Sequence, residues 1–167
     1  MASTDRLEML FESLGFTLPS NIKQDVAFNL EHNHYVNKHY SFLIDLRTRC
    51  VLSHGFNIYF KSESFPFSIH AEIQSIVRYY KSKTVSKNKK ALIVVKLTKT
   101  GILGNSKCCL NCMRFIRNNL SNLNLKKIYY STIANGLVEL SKENLVDENF
   151  KTSKGFRWRH AGEQYSS

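Results

Sequence analysis

The alternation of apolar and polar residues predicts four helices. In residues 1–38, apolar positions 7, 10, 11 and 14 recur at helical spacing up to Gly15, and Pro19 and Ser20 open a second helix near 21–36. The same spacing returns at 73, 76, 77 and 80 in the segment 72–81, and again from about Cys109 to Leu120. Two of the predicted helices therefore precede the first strand, and two lie between strands.

Five other segments are typical of β-strands, and they are YSFLIDL (40–46), CVLSHGFNIYF (50–60), ALIVVKL (91–97), KKIYYS (126–131) and LVEL (137–140). The turn RTR joins the first two as a hairpin, and Gly55 inside the second indicates a bulge or a close approach to a ligand. The continuous apolar run at 91–97 favours a strand covered on both faces. Asn135-Gly136 is a hairpin-turn pair before the fifth strand. Helices between strands predict a layered α/β fold.

The length of 167 residues suits one domain spanning 1–167, and 43% hydrophobic residues are enough for a core. We divide it into N-terminal helices (1–38), a core (40–146) and a basic C-terminal tail (147–167). There is no apolar run of about 18 residues, so we expect no membrane span. Because MASTDRLEMLFESLGF carries acids where a secretory signal carries bases, we expect an intracellular protein, cytoplasmic or nuclear.

The net charge of +11 is unevenly distributed. Residues 73–138 contain no Asp or Glu but thirteen Lys or Arg, and we expect this stretch to surround the functional site. A field of one sign attracts polyanions, so it favours a nucleic-acid partner, although a solvated surface is the alternative. The candidate nucleic-acid-binding residues are Lys81, Lys83, Lys87, Lys89, Lys90, Arg114 and Arg117.

Two short motifs stand at the starts of the third and fourth predicted helices. His70-Ala71-Glu72 begins one, Cys109-Leu110-Asn111-Cys112 begins the other, and a strand lies between them. If that strand joins the sheet, the helix N-termini can meet, and one imidazole and two thiolates then give zinc three ligands with a fourth position open. Helix N-termini favour thiolates, and Glu72 is placed to exchange protons with metal-bound water. Cys108 could replace Cys109 as the first sulfur ligand.

Other interpretations of these residues remain open. A Cys-x-x-Cys pair could be a redox motif or half a zinc ribbon, but a ribbon needs a second pair and a redox motif needs no His-Ala-Glu. His32, His34 and His39 could bind a second metal or be surface histidines. Cys50 is expected in the core. Trp158 could stack on a base or anchor the tail.

The H-x-E and C-x-x-C motifs together resemble the zinc-dependent cytidine deaminase-like superfamily, over roughly residues 40–146. SHGFN resembles the G-x-N segment of that superfamily, and LGNSKCCLNC resembles its S-x-P-C-x-x-C run with Cys108 in place of proline. The closely following fifth strand is similar to the branch with a C-terminal β-hairpin. The resemblance implies a three-layer α/β/α fold with a mixed five-stranded sheet.

The resemblance also implies roles for individual residues. Zn²⁺ would be held by His70, Cys109 and Cys112, with Glu72 as the catalytic proton shuttle. The backbone carbonyl of Lys107 would hold the exocyclic amine of the base. The implied substrate-binding residues are Asn57, Phe56, Tyr59, Phe65, Ala71 and Lys107.

The implied reaction is hydrolytic deamination of cytosine to uracil, and the acid-free stretch favours RNA or single-stranded DNA as substrate. Free cytidine, deoxycytidine or their monophosphates are the alternative substrates, and a homo-oligomer is compatible with that branch. A tRNA adenosine deaminase and a catalytically silent nucleic-acid-binding protein are further alternatives.

Overall fold

The computed structural model describes residues 3–32, 38–60, 67–83, 85–98 and 100–140. Its four helices are α1 (Ser3–Ser13), α2 (Ser20–His32), α3 (Ala71–Lys81) and α4 (Leu110–Leu123). Its strands are β1 (Lys38–Asp45), β2 (Val51–Phe56), β3 (Ile58–Phe60), β4 (Phe67–Ile69), β5 (Lys90–Leu97), β6 (Leu103–Gly104), β7 (Leu125–Thr132) and β8 (Gly136–Leu140). None of the helices in these ranges combines the length and the apolar character that a membrane span requires.

The main sheet is mixed, with the strand order β2-β1-β5-β7-β8, and the short β6 pairs with β5 outside that order. β1 runs antiparallel to β2 and β5, β5 and β7 are parallel, and β8 is antiparallel to β7. The parallel pair is joined through α4, the kind of crossover that parallel strands need. The predicted α/β class with a mixed sheet of five strands is confirmed, with β6 as an addition.

Side chains alternate between the two faces of each strand, so both faces of the sheet present apolar residues, and helices pack on both. From β1, Tyr40 and Phe42 join the core cluster of the α1–α2 layer, while Leu43 joins the cluster that contains Ile76 of α3 and Ile116 of α4. All five residues from Ala91 to Val95 are 0% exposed, as the continuous apolar run predicted. The molecule therefore has three layers, and β1 and β5 carry two cores at once.

The predicted second strand is interrupted at Asn57, which separates β2 from β3. The Asn57 N–H donates to the His39 carbonyl at 3.3 Å, and the chain then leaves the main sheet so that β3 pairs with β4. A three-residue strand such as β4 is too short for periodicity to reveal. Cys50 was expected in the core, but it is exposed because it precedes β2 in the turn.

Gly55 allows α3 to pack closely on β2. A Cβ at this position would lie 2.5 Å from the Ala71 carbonyl oxygen and 2.6 Å from the Ser75 nitrogen. The sequence predicted a bulge or a close approach to a ligand here, and the structure shows that the close neighbour is the backbone of α3 itself. This contact sets the position of the helix that begins at the H-x-E motif.

Candidate metal centre

His70 and Cys109 occupy equivalent places at the starts of α3 and α4. Each is the N-cap residue, with extended backbone angles of −75° and 153° for His70 and −73° and 165° for Cys109. Their carbonyls accept the first helical hydrogen bonds, from Gln74 at 3.0 Å and from Met113 at 2.9 Å. Neither side chain caps its own helix, so both are directed to a shared point between the two helix N-termini.

The structure brings together the three residues that the spacing singled out. His70 Nδ1 lies 3.4 Å from Cys109 Sγ and 3.2 Å from Cys112 Sγ. One ligand atom from each of the three residues lies within 4.8 Å of the other two, so the group could hold a metal ion. Zn–S bonds of about 2.3 Å and Zn–N bonds of about 2.0–2.1 Å at tetrahedral angles separate nitrogen from sulfur by about 3.5 Å, so the donor set fits zinc.

The structure also separates the roles of Cys108 and Cys109. Cys108 is 4% exposed, its side chain hydrogen-bonds with Glu72, and it belongs to the core cluster beneath α3 and α4. Burial followed by the nearby Glu72 carboxylate raises the pKa of the Cys108 thiol well above its ordinary value. Cys109 is the residue whose sulfur meets His70 and Cys112. The alternative ligand assignment to Cys108 is therefore not supported.

The two sulfurs and the imidazole form one coupled protonation system. A hydrogen bond from the Cys112 thiol lowers the pKa of Cys109 to about 4, and the hydrogen bond to His70 acts in the same direction. Cys112 retains the shared proton, so its pKa is raised, while the hydrogen bond to Cys109 raises the pKa of His70. A thiolate beside an imidazole is the chemistry that a thiophilic divalent cation selects.

Glu72 is the buried carboxyl group of this site, with 4% of its surface exposed. Burial is the main cause of its raised pKa, and the neighbouring His70 opposes that rise. A carboxyl group that loses its proton less readily than usual is better suited to return a proton it has accepted. Its place in the first turn of α3, two residues after His70, puts this group next to the metal-ligand set.

Asn57 fixes the start of α3. Its Oδ1 accepts a hydrogen bond from the Ala71 N–H at 2.9 Å, and its Nδ2 lies 3.5 Å from His39 Nδ1 and 3.4 Å from the Tyr59 hydroxyl. Asn57 therefore positions the His70-Ala71-Glu72 segment, a role that the sequence interpretation did not assign to it. Its predicted contact with substrate stays a prediction.

The remaining predicted substrate-binding residues differ in how far they are exposed. Ala71 is 0% exposed, Tyr59 is exposed, and the Arg78 guanidinium carbon lies 5.2 Å from the centre of the Phe56 ring. Lys107 is exposed beside the cysteines. Phe65 lies outside the described residues, as do His34, Trp158 and the tail at 147–167.

A second metal site among the histidines is not supported within the described ranges. There, His70, Cys109 and Cys112 form the only group of three or more metal-ligating side chains close enough to share an ion. His39 instead neighbours the metal-ligand set, and burial, followed by the charge of Lys96, lowers its pKa to about 4. It is a neutral imidazole next to Asn57.

Two buried serines that the sequence interpretation missed hold the loop before Cys109. Ser106 Oγ donates to the Val94 carbonyl at 2.7 Å and accepts from the Ser131 N–H at 2.7 Å. Ser131 Oγ donates to the Gly104 carbonyl at 2.7 Å and accepts from the Lys96 N–H at 3.0 Å. These bonds join β5 and β7 beyond their last paired residues, Val94 and Tyr130. Ser106 lies within the segment LGNSKCCLNC, and its place in that motif is the sequence signal that could have indicated its role.

The candidate nucleic-acid-binding residues lie in different parts of the fold, and their contact with nucleic acid stays a prediction except at Lys90. Lys81 is exposed at the last residue of α3, about 15 Å from His70 along a helix of this length, and the exposed Lys83, Lys87 and Lys89 follow it in the connection to β5. Lys90 is not a surface residue, because it is 1% exposed and its ammonium donates to the carbonyls of Ser86 and Asn88. Arg114 and Arg117 are exposed on α4. The expectation that Lys90 contacts nucleic acid is therefore wrong.

No protein-family model matches the chain, and no curated protein matches it. A solved structure to which it is similar is the cytidine deaminase from Burkholderia pseudomallei, at 14% sequence identity. The match covers 76% of this chain and 94% of that chain, with a TM-score of 0.49. A likeness this distant carries no argument about activity, so the functional case depends on the residues of the site.

Proposed function

We propose that this chain is a zinc-dependent hydrolase that deaminates cytosine to uracil. The observation that carries the proposal is the convergence of His70 Nδ1 with the sulfurs of Cys109 and Cys112, at 3.4 and 3.2 Å, beside the buried carboxyl group of Glu72. Three protein ligands leave one of four tetrahedral positions open, which is the arrangement of catalytic rather than structural zinc sites. A structural site would have no use for a buried proton-accepting group next to it.

The chain's own groups supply the proton transfers of this reaction. Zinc, when bound, would provide the Lewis acidity that lowers the pKa of a water molecule. Glu72 accepts a proton from the attacking water, delivers it to N3 of cytosine, and assists protonation of the amine at C4. The C4–N bond breaks, ammonia leaves, and the water oxygen becomes the new carbonyl oxygen of uracil. The raised pKa of Glu72 suits a group that must hold and release the same proton.

A single-stranded nucleic acid is the proposed substrate, because the net charge is +11 and residues 73–138 contain no acid. Free cytidine or its monophosphate is the second candidate, and one observation favours it. The exposed lysines of the connection between α3 and β5 lie at the opposite end of α3 from His70. A small substrate would need none of them.

The test is a uracil-formation assay with the zinc-loaded full chain. Substrates are cytidine, deoxycytidine, dCMP, a cytosine-containing RNA and a single-stranded DNA, at about 0.05 and 0.2 M salt. We expect turnover of the oligonucleotides that falls steeply as salt increases, because phosphate contacts release counterions. Salt-independent turnover of free cytidine alone would favour the second candidate. An adenosine-containing tRNA, with inosine formation as the readout, tests the adenosine alternative, and no turnover on any substrate would contradict the proposed activity.

A further inference from the structure

Six exposed cationic side chains gather where α3 ends and β5 begins, and we call this set the basic end. It consists of Lys81 at the end of α3, Lys83, Lys87 and Lys89 from the connection to β5, and Arg47 and Arg49 from the turn between β1 and β2. The Arg49 guanidinium carbon also lies 5.3 Å from the centre of the Phe16 ring. The Leu46 N–H donates to the Lys89 carbonyl at 2.9 Å, next to the paired residues Asp45 and Lys90. Turn and connection therefore form one continuous surface, although about 40 residues separate them in the sequence.

A buried polar network fixes the backbone that presents these cations. The Asp45 carboxylate accepts from Ser86 Oγ at 2.8 Å and from Asn88 Nδ2 at 3.0 Å. The Lys90 ammonium donates to the carbonyls of Ser86 and Asn88 at 2.6 and 2.9 Å, and the Tyr79 hydroxyl also bonds to Ser86. Lys87 and Lys89 alternate with these anchored residues. A held backbone loses little conformational entropy when it binds a ligand.

The charge of the basic end is not neutralised by the protein. In the turn at 46–50 and the stretch 81–90 there is no Asp or Glu, and the adjacent Asp45 is buried within the network. Among the residues that the structure describes, none of the six cations forms an ion pair. Lys23, by contrast, pairs with Asp5 and Glu8 on the α1–α2 layer. Six cations that lack ion-pair partners, on a backbone fixed by hydrogen bonds, fit a ligand with regularly spaced negative charges.

We propose that the basic end binds the phosphate backbone of a nucleic-acid strand, at a place separate from the metal centre. The choice of this polyanion rests on the proposed nucleic-acid substrate. About 15 Å along α3 separates His70 from Lys81, which corresponds to four or more nucleotides of about 3.4 Å each. A strand of three nucleotides, about 10 Å long at that rise, therefore reaches only one of the two places, and longer strands gain affinity from both.

The test measures fluorescence anisotropy of the full chain with labelled oligouridine of 3 and 20 nucleotides. The double variant Lys87→Gln/Lys89→Gln removes two cations but keeps the carbonyls that anchor the loop. The double variant Arg6→Gln/Lys23→Gln removes the same charge from the α1–α2 layer and is the matched control. We expect about tenfold weaker binding of the 20-mer to the first variant, and a salt slope smaller by about 1.4. The control should change binding less than about twofold.

Because oligouridine contains no cytosine, this binding is independent of turnover, so the failure of one proposal does not imply the failure of the other. Equal affinities of the wild-type chain and the Lys87/Lys89 variant for the 20-mer would overturn the inference. So would an equal loss for the 3-mer, because the metal centre would then add nothing to the binding of the longer strand. Tighter binding to vesicles of anionic phospholipid than to the 20-mer would assign the surface to a membrane instead. Urea unfolding of both variants checks that the fold is kept.

Discussion

Two polar clusters lie at opposite ends of α3, and they shift the pKa of their carboxyl groups in opposite directions. At the far end, Asp45 accepts hydrogen bonds from Ser86, Asn88 and two backbone N–H groups, which together lower its pKa to about 2 despite its burial. At the near end, burial dominates at Glu72 and raises its pKa. A carboxylate that the protein stabilises fully serves the fold, whereas one kept in a desolvated site next to metal ligands suits chemistry.

The largest expected difference between the clusters is catalytic. Glu72→Gln keeps the shape of the side chain but cannot accept a proton, so we expect deaminase activity to fall about 10²- to 10⁴-fold. Zinc content, measured by inductively coupled plasma mass spectrometry, should remain near one per chain. Glu139→Gln, an exposed carboxyl on β8, is the control and should keep full activity. Loss of zinc in the Glu72 variant would show that Glu72 is a ligand instead of a proton shuttle.

Metal retention should distinguish the adjacent cysteines. In Cys109→Ser the weaker oxygen donor replaces a thiolate ligand, and we expect zinc affinity, measured by chelator competition, to fall at least about 100-fold. Cys108→Ser keeps the ligand set, because Cys108 lies against Glu72 and the core. Its zinc affinity should stay within a few-fold of the wild-type value. The reverse order of effects would contradict the ligand assignment.

The helix that connects the two clusters should be sensitive to its contact with β2. Gly55→Ala places a methyl group 2.5 Å from the Ala71 carbonyl oxygen, so α3 must move, and we expect the free energy of unfolding to fall by about 1–3 kcal/mol. Zinc affinity should fall as well, because His70 immediately precedes Ala71 in the chain. Ser53→Ala is the comparison variant, since it removes only the hydrogen bond from Ser53 Oγ to the Ser75 carbonyl. It should cost about 1 kcal/mol in urea unfolding and leave zinc affinity unchanged.

The sequence was sufficient for the features that periodicity and spacing record locally. The apolar run at 91–97 predicted the doubly covered strand β5, and the motifs at 70–72 and 109–112 predicted the residues that meet at the helix N-termini. The features that the sequence could not predict depend on contacts between residues that are distant along the chain. Nothing local distinguishes the buried Lys90 from the exposed Lys89, because the burial of Lys90 follows from Asp45, Ser86 and Asn88 closing around β5. The juxtaposition of Arg47 with Lys89 likewise required the β1–β5 register.

The effect expected at Asp45 concerns stability alone and depends on pH. In Asp45→Asn the donors from Ser86, Asn88 and the turn lose a charged acceptor, so we expect a loss of about 1–3 kcal/mol in urea unfolding at pH 7. A carboxyl group whose pKa is lowered by folding, from 3.8 to about 2, contributes stability that is present above pH 3.8. That contribution disappears as the pH falls through about 2, so the wild-type and variant curves should converge between pH 4 and 2. Asp25→Asn, at an exposed position facing His54, should shift stability by less than about 0.5 kcal/mol at pH 7. A difference between wild type and the Asp45 variant that persists unchanged to pH 2 would show that the network stabilises the fold through shape and not through the charge of Asp45.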